Sequence, residues 1–558
     1  MSSDNSNKKH RGQPLRRGKA CLNCRHLKIK CDGARPICGQ CQRVPKDDAC
    51  EFSDTMSRTQ ELENTVYRLQ SRIDELQGGP GPSNYAGPSH LPTRRSPFGG
   101  SSAGSQSSPS SENSTFGFQE PPIPMIKMLL QSFLPHATQL GFFLHPARFH
   151  DSALLPLPSG DVRRPSPALL SVVYLWGVHL SQSQPLLSSE PVFLKRAQQH
   201  ISTEISADSH PTHFLHTIQA QVLLSTYLFR NKHFLEAEFY ASGAATLTLG
   251  YQLHKIRSAR PGSPPLLGVP VSLEVYPPRP ADMVAEGERI RGFWAVTCLQ
   301  SNLNIALNSA SSAFCILESA GADIDTPWPL EIADYEAGLL SPGYLGQESI
   351  GHFLTDDVQS ASPICMLHAK ASVLLYRAAR LGAKYSPNLQ PQERAAYISS
   401  YTWLDRRITQ FWQALPPVYA FYADGAAART LVLAHALTAA AAIKLHCSPA
   451  AADPQAQAKC LFGARRVLEV LGDASVGDRA AAHPVVGALG TIACGVLIDT
   501  VRRARAAWAS GIRTPYAAEE GALLADLQGG MATIATYAVG SPLIDYQLQK
   551  LRQRCETM

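Results

Sequence analysis

Two hydrophobic periods divide the chain. From about residue 121 to residue 558, apolar positions recur at helical spacing. Leu367, Ala371, Leu374, Leu375 and Ala378 fall at i, i+4, i+7, i+8 and i+11, with Lys370, Arg377 and Arg380 assigned to the opposite face. Ile290, Phe293, Trp294 and Cys298 repeat the arrangement beside Glu288, Arg289 and Arg291. Gly540-Ser541-Pro542 ends one helix and starts another, whose buried stripe is Ile544, Leu548 and Leu551. No alternation of period two is sustained, so residues 121–558 are expected to form one large all-α domain with proline-rich connections such as 259–281.

The second period lies at 57–77, SRTQELENTVYRLQSRIDELQ. With Leu62 at d, Val66 falls at a, Leu69 at d, Ile73 at a and Leu76 at d, a repeat of 3.5 residues. β-Branched residues at a with Leu at d favour a parallel two-stranded coil. Arg58 at g would face Glu63 at e of the partner, so the pattern predicts a homodimer. Three heptads make a weak coil by themselves. Helix packing on the chain's own core is the alternative.

Between these segments, residues 78–120 are rich in Gly, Pro and Ser and poor in aliphatics, and read as a disordered linker. Gly100-Ser101-Ser102-Ala103-Gly104 formally matches G-x-S-x-G, but a hydrolase needs that motif on a strand-turn-helix elbow.

Charge changes the picture once it is divided. The net charge is +6, yet residues 8–46 carry twelve Lys or Arg against the single acid Asp32, leaving the remainder of the chain at −5. The positive field is concentrated in one short segment, as on a surface that meets phosphates. Residues 1–19 form a basic disordered tail, and its clusters Lys8-Lys9-His10-Arg11 and Arg16-Arg17-Gly18-Lys19 suit nuclear import or DNA-backbone contact.

That basic segment holds six cysteines, spaced C-x2-C-x6-C-x6-C-x2-C-x8-C at positions 21, 24, 31, 38, 41 and 50. Zinc takes four thiolate or imidazole ligands tetrahedrally, so two ions need eight ligand positions. Six thiolates supply eight if two of them bridge. Disulfides are the competing use, but MSSDNSNKKHRGQPLRRGK offers no apolar core for a signal peptide, and exported chains are where disulfides belong. The other seven cysteines, at 298, 315, 365, 447, 460, 494 and 555, have no paired spacing and are expected in the core.

This spacing, with C-R-x-x-K-x-K-C at Cys24–Cys31 and Pro36 before Cys38, resembles the fungal zinc binuclear cluster transcription factors. The resemblance covers about residues 17–53 and implies a zinc-cluster DNA-binding domain over 20–53. It implies that Cys21 and Cys38 bridge two Zn2+ per chain, with Cys24 and Cys31 completing one site and Cys41 and Cys50 the other. It also places the first cluster helix in the major groove, with Lys28 contacting a CGG triplet, where a lysine can donate to guanine O6 and N7. Arg25 and Lys30 are assigned to phosphates, and Arg17, Lys19 and Arg43 join the DNA-binding set. Where the family usually has Arg or Lys before that lysine, this chain has Leu27 after His26, so one cationic contact is missing. The Cys41–Cys50 loop, with Asp47 and Asp48, is long for the family and is expected to bulge away from DNA. Segments 223–256 and 288–329 resemble the helical regulatory domain that follows the cluster in the same family.

Other chemistry is weakly represented. His210, His213 and His216 invite a metal reading, but Pro211 is expected at a helix start, leaving His210 outside it. Asp323 and Asp325, before Pro327, are expected in a turn with local backbone hydrogen bonds. Neither a P-loop nor G-x-G-x-x-G occurs. The run 480–498 is interrupted by Pro484, Gly487, Gly490 and Gly495, and without a second candidate span it reads as a buried helix rather than a membrane segment. RNA readers stack bases on exposed aromatics, and residues 8–46 contain no Phe, Tyr or Trp.

The sequence therefore predicts a mostly α protein and no enzyme. It is expected to be a nuclear regulator of RNA polymerase II transcription that binds double-stranded DNA as a homodimer, recruits transcriptional co-regulators and does not engage a membrane.

Overall fold

The computed structural model describes positions 21, 24, 29–32, 34, 35, 37–43 and 50, and residues 120–558 except 182, 207–212, 260–277, 308–323, 356–361, 478, 480 and 512–514. The chain divides into two units, Met1–Ser107 and Ser108–Met558. The coiled coil expected at 57–77 (Leu62, Val66, Leu69, Ile73, Leu76), the basic tail, nearly all of the 78–120 linker, and most of the 259–281 connection lie outside the described residues.

In the first unit one short helix is described, α1 (Gly39–Arg43). Among its described residues the second unit is built from helices and their connections. It begins with α2 (Ile123–Phe133), α3 (Pro146–Ala153), α4 (Pro167–Leu180), α5 (Gln184–Leu187) and α6 (Glu190–Ser206). It continues with α7 (Phe214–Arg230), α8 (Phe234–Gly250), α9 (Met283–Leu307), α10 (Ile332–Glu336), α11 (Ser349–Thr355) and α12 (Ile364–Ala383). The remaining helices are α13 (Pro391–Ala414), α14 (Gly425–His446), α15 (Pro454–Gly472), α16 (Val485–Ala509), α17 (Pro515–Ala518), α18 (Glu520–Ala538) and α19 (Pro542–Glu556). Among the described residues β-type pairing is limited to one isolated bridge, Ser258 with Gly346.

The core is built around helices buried on nearly every side. α7 and α14 are buried around most of their circumference, as helices enclosed by others rather than facing water. α14 packs closely along α12, and small residues make that approach possible: a Cβ on Gly382 would stand 2.2 Å from the Lys444 carbonyl oxygen. Asp424 starts α14 by accepting from the N–H groups of Ala426 and Ala427 at 3.1 and 3.0 Å. The Ile544, Leu548 and Leu551 stripe of α19 is buried as its spacing predicts, and so are Ile290, Phe293, Trp294 and Cys298 of α9.

Several details differ from the sequence reading. Lys370 does not lie on a solvent face: it is buried, its ammonium over the rings of Phe353 and Trp328 at 5.3 and 5.5 Å, because both flanks of α12 are covered. Cys447 is exposed, one residue past the end of α14, while Cys298, Cys460 and Cys494 are core residues. A second helix long and apolar enough to cross a membrane does exist, α14 beside α16, and both are mostly buried within the body. Asp325 makes bonds to distant residues, accepting from Lys255 Nζ at 3.1 Å, Ser258 Oγ at 2.5 Å and the Glu348 N–H at 3.0 Å.

Candidate metal centre and nucleic-acid interface

Cysteines with C-x2-C spacing bring two sulfurs onto one turn, and the fold here brings two such turns together. Cys21, Cys24 and Cys38 are buried against one another, with Cys31, Cys41 and Cys50 packed partly buried around them. Cys21 Sγ lies 3.6 Å from Cys38 Sγ and 3.7 Å from Cys41 Sγ, and Cys24 Sγ lies 3.6 Å from Cys38 Sγ. A disulfide would need about 2.05 Å. Zinc–sulfur bonds of about 2.3 Å in a tetrahedron place neighbouring sulfurs about 3.8 Å apart, close to what is found. The four sulfurs of Cys21, Cys24, Cys38 and Cys41 all fall within 4.8 Å of one another, and Cys31 Sγ, Cys38 Sγ and an Asp32 oxygen form a second such group. The donor set thus fits thiophilic metal, with Cys21 and Cys38 at its centre.

Backbone hydrogen bonds hold this geometry. The Cys24 N–H donates to Cys21 Sγ at 3.5 Å, and the Cys41 N–H to Cys38 Sγ at 3.4 Å, so each C-x2-C turn is closed on its own first sulfur. The Cys38 N–H donates to Cys50 Sγ at 3.4 Å, which ties the far end of the long loop to the cluster. The Ile29 N–H donates to the Cys24 carbonyl at 3.1 Å. In the second half Asp32 anchors the start of α1: both its oxygens accept from the Gly39 N–H at 3.0 Å, and one from the Ala34 N–H at 3.3 Å. Nothing in the cysteine spacing announces this contact, although an acid in an otherwise basic segment is its one visible signal.

Charge within the cluster is uneven. Burial, together with its neighbours, drives the Cys21 thiol far above its usual range and the Cys24 thiol up to about 12. Cys38 is also desolvated, but the Cys41 N–H and the surrounding thiols outweigh that and hold it down at about 6. Asp32 is kept below the ordinary carboxylate range by the Gly39 and Ala34 N–H groups.

Of the expected DNA-contacting residues, Lys30 and Arg43 are described, and both are exposed beside the cluster. Arg17, Lys19, Arg25 and Lys28 lie outside the described residues. In the helical body, His213 stands at the start of α7 and stacks on His216 with ring centroids 5.4 Å apart, while His210 lies outside the described residues. Among the described residues, groupings of three or more metal-ligating side chains occur only in the cysteine segment.

Residues 19–59 match the fungal Zn(2)-Cys(6) binuclear cluster domain. The citrinin biosynthesis transcriptional activator mrl3 of Monascus ruber is 24% identical over 450 residues, covering 73% of this chain and 81% of that protein. Its counterpart ctnR of Monascus purpureus is 24% identical over 450 residues, 73% of this chain and 72% of its own length. The transcriptional activator protein acu-15 of Neurospora crassa is 44% identical over 64 residues, which are 10% of this chain and 7% of that protein. No solved structure matches the chain.

Proposed function

We propose that this chain, which carries a fungal Zn(2)-Cys(6) binuclear cluster domain and is related over most of its length to fungal transcriptional activators, is a nuclear, zinc-dependent regulator that reads CGG-type half-sites as a homodimer. The family is one of transcription factors rather than enzymes. The observation that carries the reading is the pair Cys21 and Cys38, whose sulfurs lie 3.6 Å apart and each also beside a further sulfur of the opposite half, Cys41 and Cys24 respectively. That is the placement two bridging thiolates need if six cysteines are to serve two Zn2+. Cys24 and Cys31 would complete one site and Cys41 and Cys50 the other.

Bound zinc would supply folding energy to a segment too short to hold its helices alone. The residues around it would do the reading. Lys28 would contact the bases, Arg25 and Lys30 the phosphates, and Arg17, Lys19 and Arg43 would extend the cationic surface. Leu62, Val66, Leu69, Ile73 and Leu76 would pair two chains over 57–77, and the body at 121–558 would meet co-regulators.

Selection of bound DNA from a random pool by the full chain tests the proposal. Enrichment of paired CGG-type triplets is expected, and Lys28→Ala should lose that preference while keeping most affinity for random DNA. Leu69→Pro should convert two-site binding into weak single-site binding, since proline in a three-heptad coil costs about 3 kcal/mol or more. A pool enriched in no motif, or one unchanged by Lys28→Ala, would count against it.

A further inference from the structure

The helical body contains a cavity of about 1140 Å3, its solvent-connected mouth included, enclosed chiefly by α7, α9, α12, α14, α16 and α18. One face of α9 forms a wall: Arg291, Trp294, Ala295, Cys298, Leu299 and Asn302 recur at helical spacing along it. Most of the lining is apolar and aromatic, with Phe142, Phe143 and Tyr537 on other sides. Spaces between packed helices are a usual location for small-molecule sites.

Its polar groups are unusual in two ways. First, some have no partner. Asn302 is only 2% exposed, yet neither its Oδ1 nor its Nδ2 is hydrogen-bonded, and His368 Nε2, Gln139 Nε2 and Arg429 Nε, all on the lining, are also unpaired. An unpaired buried amide is destabilising, so Asn302 is a poor choice for a wall that serves packing alone. Second, among the described residues the charge is of one sign. Of those residues, Arg291, Arg429 and Arg479 line the cavity and no carboxylate does. Arg291 is engaged by the Phe143 and Leu330 carbonyls, with the half-exposed Glu331 at 3.8 Å, and Arg479 by the Gly472 and Asp473 carbonyls. Arg429 forms no ion pair among the described residues. His368 and His483, also on the lining, are held neutral by burial, so they can offer or accept a hydrogen bond without adding charge.

From these observations we infer that the cavity binds an apolar, ring-bearing organic acid, its rings against the aromatic wall, its acidic group toward Arg429, and a further polar group on Asn302. That binding stands on the cavity alone. Its role as the signal that sets transcriptional output rests on the function proposed above.

Calorimetric titration of the zinc-loaded full chain with 2-naphthoate, 2-naphthamide and 2-naphthylmethylamine tests it. One saturable site is expected for the acid, at least about tenfold tighter than for the amide, with the amine weakest. Arg429→Leu should bring the acid down to the level of the amide. Asn302→Leu should raise the melting temperature of the unliganded chain while weakening the acid, a combination that a purely structural Asn302 would not give. No saturable binding of the acid, equal binding of acid and amide, or an Arg429→Leu chain that keeps the preference overturns the proposal. Binding as expected with no effect on DNA binding or reporter transcription would leave the site standing and remove only its regulatory role.

Discussion

Cys21 Sγ and Cys38 Sγ stand 3.6 Å apart across 17 residues of chain, and each of them also lies beside a sulfur of the other half of the motif. A sulfur shared between two ions should be worth more than a terminal one. Native mass spectrometry is expected to find two Zn2+ per chain, with Cys38→Ser losing both and Cys50→Ser retaining one. Chelation should unfold the segment and abolish specific DNA binding, because ligation energy is folding energy here. One zinc per wild-type chain would exclude the shared pair.

Gly39 has no room for a side chain while Asp32 holds its N–H. A Cβ there would stand 2.3 Å from Asp32 Oδ2, so Gly39→Ala should push the carboxylate away and release the start of α1. Zinc affinity should fall in Gly39→Ala and in Asp32→Ala, and the double variant should be no worse than either alone, since both remove one contact. Competition with a chromophoric chelator measures all three, and additive losses would show that the two residues act separately.

Arg230, 2% exposed, fastens three parts of the body at once. It donates to His179 Nε2 at 3.1 Å, the Ala482 carbonyl at 3.1 Å and the Gly540 carbonyl at 2.9 Å. Arg230→Met keeps much of the volume but leaves those acceptors unpaired, at a cost of roughly 2–4 kcal/mol. A lower urea midpoint is the expected outcome. Arg230→Lys should recover little, because one ammonium does not reproduce the planar fork.

Lys370 is a buried cation whose ammonium is brought down to about 8, by desolvation first and by the nearby Arg407 charge second. The folded state therefore releases this proton before the unfolded chain does. Between about pH 8 and 10.5 the unfolded chain binds more protons, so stability should rise with pH, by up to about 1.4 kcal/mol per unit from this group. Lys370→Met should remove that rise and stabilise the body at neutral pH by about 1–3 kcal/mol. Denaturation midpoints across this range check both statements, and a variant less stable than the wild type at pH 7 would show that the ring contacts outweigh desolvation.

What could be read from the chain followed from short-range spacing. Six cysteines at fixed separations specify a ligand count whatever the rest does. The stripe of Ile544, Leu548 and Leu551 specifies a buried helix face, because periodicity is a local property and burial of an apolar face follows from it. The concentration of charge in residues 8–46 needed only counting. Lys370 went to the wrong face for the same reason: i+3 and i+4 spacing tells which residues share a side, not how many sides are covered. Only the tertiary structure decided that both flanks of α12 are buried, that Asp325 reaches Lys255, Ser258 and Glu348, and that Asp32 holds Gly39. The cavity is the clearest case. In sequence, Arg291 and Asn302 bracket an ordinary apolar run on α9, and only the placement of α7, α12, α14, α16 and α18 around that face leaves Asn302 without a partner. Apart from Asp32 with Gly39, seven positions apart, such contacts join residues tens of positions apart, and no local pattern encodes which distant groups will meet.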